Sequence, residues 1–301
     1  MFRTATFANI GTDIKGISST EEALNAAHLN YNVVKTNMYL KGESGELIDY
    51  PDMKFTTVEG TSRVLGVVSA KYEICQNRDA FSFIDYIGRD FDGFEYVKAG
   101  ETPNGIVYII AKFPNDSILG DAFTPYIIFQ NSHDGRSSIK ATICPLRIIC
   151  QNQFNLSFKS SPNTVRIVHS SKLDRRMLEA RTVLKDVAGY MTTFKSTAES
   201  LAEKKISYDD VISVFYETFG TANMDSQQKQ KLDRSRSKFL ACYNSDDNQN
   251  FRGTAWGVIN SAADYLTHHK ISRSGPDMRF VNTTLVTSAL TQIYDNVMKH
   301  T

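Results

Sequence analysis

From residue 33 to about residue 170 the apolar positions come in short runs, in places alternating with polar ones, and are separated by Gly, Pro, Asn and Asp. Runs of that length and punctuation predict strands joined by tight turns. From Lys172 onward the apolar residues recur at intervals of three and four, the spacing of helices that bury one face. The pattern predicts an α+β chain: an antiparallel sheet with a covering helix, followed by a mostly helical C-terminal half.

Within that outline, Ser19 with Glu22 three residues on has the form of a capping box opening a short helix over "EALNAAHL". "YNVVKTNMYL" and "MKFTTV" flank the turn composition of "KGESGELI" and predict a hairpin. Residues 1–60 are thus expected to be a helix and hairpin packed on an antiparallel α+β core of residues 61–170, with the helical region in residues 171–301. "RVLGVVSAKYEICQ" reads as a strand pair, and "NRDAFSFIDYIGRDF" as a helix capped by Asn77 or Asp79 with Phe81, Ile84 and Ile87 on its inner face. Two hairpins follow, one turning at Thr-Pro-Asn-Gly and one at Asp134-Gly135. "PLRIICQNQFNLSF" is expected to be a helix with Pro145 at its first position, and "NTVRIVHSS" a short extended piece.

The next segment has the most regular spacing in the chain. Leu173, Met177, Ala180, Leu184, Val187, Met191, Phe194, Ala198 and Leu201 follow one another at steps of four and three, predicting a long heptad-patterned helix over 172–203. Two uses fit such a stripe: burial on the chain's own domain, or an oligomer or partner face through Leu173, Met177, Leu184 and Met191. Further helices are expected at "SYDDVISVFYETF", "SQQKQKLDRSRSKFLACY" and "GTAWGVINSAADYLTHH", and a last one from about Asn282 to Lys299.

Composition narrows the class. The chain has 301 residues, 41% of them apolar, enough for a sizeable core. No apolar run approaches the roughly 18 residues that span a bilayer, and no secretory leader is visible at the first residues, so a soluble cytoplasmic protein with no membrane partner is expected. The four cysteines show no C-x-x-C spacing and sit among apolar neighbours, as small buried hydrophobes do; no metal and no cofactor is implied. Nucleotide-binding glycine motifs and the G-x-S-x-G nucleophile elbow are absent.

Net charge is only +1, but its distribution is uneven. Residues 79–134 carry nine acidic and three basic side chains, whereas residues 131–185 carry ten basic and three acidic ones. Arg136, Lys140, Arg147, Lys159, Arg166, Arg175 and Arg176 are therefore candidates to line a groove for a nucleic-acid backbone, with Phe154 and Phe158 as base-stacking platforms. "NSHDGR" at 131–136 is first of all a hairpin turn. Together with the amides of "CQNQFN" it also defines a possible polar pocket of Asn131, His133, Asp134, Gln151 and Asn152, which requires His133 and Asn152 to come within reach of each other.

"LGVVSAKYEICQNRDAFSFID", "PYIIFQNSHDGRSSIKATICPLRIICQN", "LDRRMLEAR" and "GTAWGVINSAADYLTHH", in that order, resemble the phage/plasmid-like proteins grouped as domain-of-unknown-function family 932. That resemblance implies a setting in a bacterial host cytoplasm and brings no known reaction. The order of strands, covering helix, hairpins and long helix is also similar to single-strand annealing proteins such as Red-beta, RecT and Erf, which implies single-stranded DNA as partner and a homo-oligomer. The expected function is nucleic-acid binding without catalysis. The alternatives are a mobile-element protein that docks a host protein through the heptad helix, and a small-ligand enzyme built on the polar pocket.

Overall fold

The computed structural model describes residues 10–136, 138–148, 152–167, 187–270 and 289–301. Eleven strands form two antiparallel sheets among these residues. The larger contains β1 (Thr12–Asp13), β5 (Glu95–Glu101), β6 (Ile106–Lys112), β8 (Asp121–Ser132), β9 (Ile139–Arg147) and β10 (Asn152–Gln153) in that spatial order. Two short strands lie off this path: β7 (Asp116–Ile118) pairs with β8, and β11 (Thr164–Ile167) with β9. The smaller sheet is β2 (Val33–Lys41), β3 (Leu47–Val58) and β4 (Val64–Ser69). β4 falls on the core side of the boundary expected at residue 60, yet it pairs with β3, and the expected strand pair over 63–76 is this one strand and a turn.

Both hairpins form where turn chemistry places them. Gly105 and Gly135 adopt positive φ, at 76° and 73°, which an L side chain seldom adopts. Side chains alternate across β8 and β9: Ile127, Phe129, Ile139, Ala141 and Ile143 enter the main core, while Ile128, Cys144 and Leu146 meet Tyr108 and Ile110 on the opposite face.

The covering layer comes from α1 (Thr20–Ala26), α2 (Asn77–Phe81) and α3 (Ile84–Asp90). Ser19 caps α1 as expected, accepting from the Glu22 amide, but the Glu22 carboxylate accepts from the Ser18 amide, so the reciprocal half of the box shifts by one residue. The helix expected over 77–91 is broken at Ser82, and neither Asn77 nor Asp79 caps it. Asn77 lies inside α2, and its side chain donates to the Leu29 carbonyl at 2.9 Å.

The helix expected from Pro145 is not formed: residues 145–147 continue β9. Pro145 stands directly opposite Pro125 of β8, so two residues without N–H groups share one register position. Their carbonyls are used from outside that pair, Pro125 accepting from Phe113 N–H and Pro145 from Phe154 N–H. A proline therefore costs this ladder no donor that its partner needed.

The helical half comprises α4 (Val187–Glu203), α5 (Tyr208–Phe219), α6 (Ser226–Tyr243), α7 (Ala255–Asp264) and α8 (Ala289–Val297). α7 runs into a π-helical turn over Tyr265–His269. The inner face of α4 carries Val187, Tyr190, Met191, Phe194, Ala198 and Leu201, all buried. Phe194 touches the rings of Phe123, Phe154 and Trp256, with centroids 5.7–5.9 Å apart. In its described part, therefore, the heptad stripe is consumed by the chain's own core. Met191, expected on an oligomer or partner face, is 6% exposed inside that core; Leu173, Met177 and Leu184 lie outside the described residues.

Candidate functional site

The outer face of the large sheet carries one row that combines cations with an unsatisfied amide. Tyr108, Gln130, Lys140 and Arg166 are successive cross-strand partners on β6, β8, β9 and β11. Directly opposed residues of an antiparallel pair point to the same face, so these side chains form a line across the sheet. Lys140 is half-buried and Arg166 exposed, and among the described residues neither forms an ion pair with a carboxylate. Burial holds the Lys140 ammonium below its ordinary pKa and the neighbouring Arg166 charge acts in the same direction, while the Asp134 carboxylate acts against both. Gln130 is 1% exposed, and neither its Nε2 nor its Oε1 has a hydrogen-bond partner. Arg136 is exposed at the tip of the same hairpin, four residues before Lys140.

Like charges held opposite one another destabilise a sheet, and a buried amide with neither group bonded costs free energy. An anionic group placed over Lys140 and Arg166 relieves the repulsion and restores favourable surroundings to the Lys140 ammonium.

The remaining expected cations are dispersed. Arg147 is 4% exposed and is a structural clamp, not a groove residue. Its Nε and Nη2 donate to Asp121 Oδ2 at 2.9 and 2.6 Å, its Nη1 donates to the Asp247 carbonyl at 3.1 Å, and its guanidinium lies over the Phe251 ring. Lys159 is exposed in the loop between β10 and β11. Arg175 and Arg176 lie outside the described residues. The stacking role expected for Phe154 and Phe158 is overturned, because both rings are buried in the aromatic core.

The polar pocket is also separated. Asn131 and His133 do come together: Asn131 Nδ2 donates to the Cys75 carbonyl at 3.1 Å and to Asn77 Oδ1 at 3.0 Å, and His133 Nε2 lies 3.1 Å from Asn77 Oδ1. Asn152, however, is paired with Arg147 at the far end of β9, whereas Gln130 and Lys140 mark the near end. Seven residues of strand at about 3.4 Å each put the two amide groups roughly 24 Å apart. His133 and Asn152 therefore share no pocket, and Gln151 lies outside the described residues. Asp134 accepts from the Arg136 amide in the turn.

What the "NSHDGR" tip does is dock the small sheet. His133 O accepts from Thr56 Oγ1 at 2.6 Å and Ser132 O from Tyr72 Oη at 3.2 Å, while Gly66 of β4 lies so close that a β-carbon there would clash with Asp134 Cα.

A second basic surface was legible in the sequence and passed over. The first thirteen residues of α6 are all exposed or half-exposed, and they include Lys229, Lys231, Arg234, Arg236 and Lys238 against Asp233 alone. Lys231, Arg234 and Lys238 follow at i, i+3 and i+7 and so share one helix face. These cations lie beyond the basic stretch of residues 131–185.

Two antiparallel sheets and a helical C-terminal half define an α+β protein. The family model described as Domain of unknown function (DUF932) matches residues 64–287, and the chain belongs to that family. No curated protein and no solved structure matches it. The match takes in β4 to β11, including the Lys140–Arg166 row, and leaves β1, β2 and β3 outside.

Proposed function

We propose that this protein binds the sugar-phosphate backbone of nucleic acid, single-stranded DNA in particular, through Lys140, Arg166 and Arg136 on the outer sheet face. The observation that carries the reading is the opposition of Lys140 and Arg166, neither of which has a carboxylate ion pair among the described residues. Phosphate supplies both charge and acceptor oxygens, and backbone binding releases counterions from the polyanion. The exposed cations of α6 offer a second contact for a long ligand. The setting that goes with this reading is DNA transaction, including strand annealing, for a phage or plasmid in a bacterial cytoplasm, with assembly into a homo-oligomer along the strand.

The deciding experiment is binding of a fluorescent single-stranded 40-mer, and of duplex of the same length, over a salt series. Affinity for the single strand that falls steeply with salt, and weakens in Arg166→Ala, supports the reading. Equal affinity of wild type and Arg166→Ala/Lys140→Ala, or no binding at low salt, removes it.

A further inference from the structure

Three side chains of metal-ligand type converge where α6 meets the end of α7. Cys242 lies in the last turn of α6, Asp264 is the last residue of α7, and His269 ends the π-helical turn that follows. One ligand atom from each lies within 4.8 Å of the other two. The His269 Nε2 to Asp264 Oδ1 separation is 3.7 Å. Around a tetrahedral zinc ion, with metal–nitrogen and metal–oxygen bonds of about 2.0–2.2 Å, two such ligand atoms stand roughly 3.4 Å apart. The trio is thus within a small side-chain adjustment of a common coordination sphere.

The backbone explains how two of the three come to face the same point. In an α-helix, residues five apart are rotated by about 140° from each other and point to different sides. Here the turn closes five residues apart, Lys270 N–H donating to the Tyr265 carbonyl at 2.7 Å. A π turn takes up one extra residue, so positions five apart stack as positions four apart do in an α-helix. Asp264 and His269 are brought onto one side by that local rewinding, and the side they share is the one packed on α6, where the Phe239 and Tyr265 rings also meet.

We propose that Cys242, Asp264 and His269 bind one divalent ion of the zinc class, with a thiolate, a carboxylate and an imidazole as ligands and a fourth position open to solvent. Mixed sulfur, nitrogen and oxygen donors select zinc or cobalt over magnesium or calcium. Cys242 and Asp264 are buried at 4% and 3% exposure, while the His269 side chain is 43% exposed, so the open position lies on the imidazole side. Binding releases the Cys242 thiol proton and fastens the C-terminal turn of α6 to the end of α7.

Cobalt titration of the metal-stripped full chain tests this directly. One equivalent of Co²⁺ is expected to produce a thiolate-to-cobalt charge-transfer band and the intense visible absorption of a four-coordinate site. Cys242→Ser removes the charge-transfer band, and His269→Gln weakens affinity by more than about tenfold, as loss of one of three protein ligands requires. The exposed position of His269 makes the second variant informative if Cys242→Ser fails to fold. Zn²⁺ is also expected to protect Cys242, read by mass spectrometry, from alkylation. Absence of the thiolate band, a band that persists in Cys242→Ser, or affinity unchanged in His269→Gln overturns the site.

Discussion

Arg147 shows how a residue's role depends on what surrounds it. Its guanidinium joins Asp121 of β8 to the Asp247 carbonyl in the helical half, in a site where the arginine side chain is 5% and the aspartate side chain 22% exposed. Removing it leaves the Asp121 carboxylate and that carbonyl without their charged donor, so Arg147→Ala is expected to cost about 3 kcal/mol in denaturant unfolding, at the low end for breaking a buried pair. Arg166→Ala, by contrast, is expected to leave stability nearly unchanged and to lower the slope of log affinity against log salt by about 0.7 for a single strand, the loss of one phosphate contact. At the C-terminus, His300 lies 2.9 Å from Glu217 and 3.1 Å from Asp210. The Glu217 contact, with Asp210 behind it, raises the imidazole pKa above 6.5. The folded state therefore holds the proton more tightly than the unfolded chain. The stabilisation is complete below about 6.5, where both states are protonated, and is lost as pH rises through the higher folded value. The stability difference between wild type and His300→Gln, measured by urea unfolding from pH 6 to 9, should shrink with increasing pH.

At the scale of elements, the Asp134-Gly135 hairpin is the joint between the two sheets. Its turn was legible because Asp-Gly between alternating apolar runs has few other conformations open to it. Its docking on β3 and β4 was not legible, since Thr56 and Gly66 carry no local sign that a distant carbonyl and Cα will lie against them. Gly66→Ala is expected to push the tip off the small sheet and cost about 1–3 kcal/mol. Hydrogen exchange should show the loss at residues 54–68 and 131–136, with α5 to α7 unchanged. Pro145 illustrates the opposite failure. Its tolerance at a helix start is a local rule, and the facing Pro125 that makes a strand acceptable lies twenty residues earlier and meets it only through the β8–β9 register.

For the whole molecule, the aromatic junction of Phe123, Phe154, Phe194 and Trp256 ties the large sheet to the helical half. Phe194 is 1% exposed and contacts the other three rings, so Phe194→Ala should cost about 3–5 kcal/mol. Trp256, the only tryptophan in the chain, reports on that site. Its fluorescence and the far-ultraviolet circular dichroism should move together to the same lower midpoint if sheet and helices unfold as one unit.

Periodicity and turn chemistry are written in neighbouring residues, and so the hairpin strands as far as Cys144, the two Gly-turned hairpins, the Ser19 cap and the buried face of α4 could be read from the sequence alone. Charge bias was legible too, but only as a stretch of residues. Which cations stand side by side depends on strand register, and register is set by contacts across the sheet. That is why Lys140 and Arg166 meet, Arg147 is buried, and the two amide groups part to opposite ends of a strand. Cys242, Asp264 and His269 belong to the same class: their convergence comes from helix packing and one π turn, which no linear spacing records.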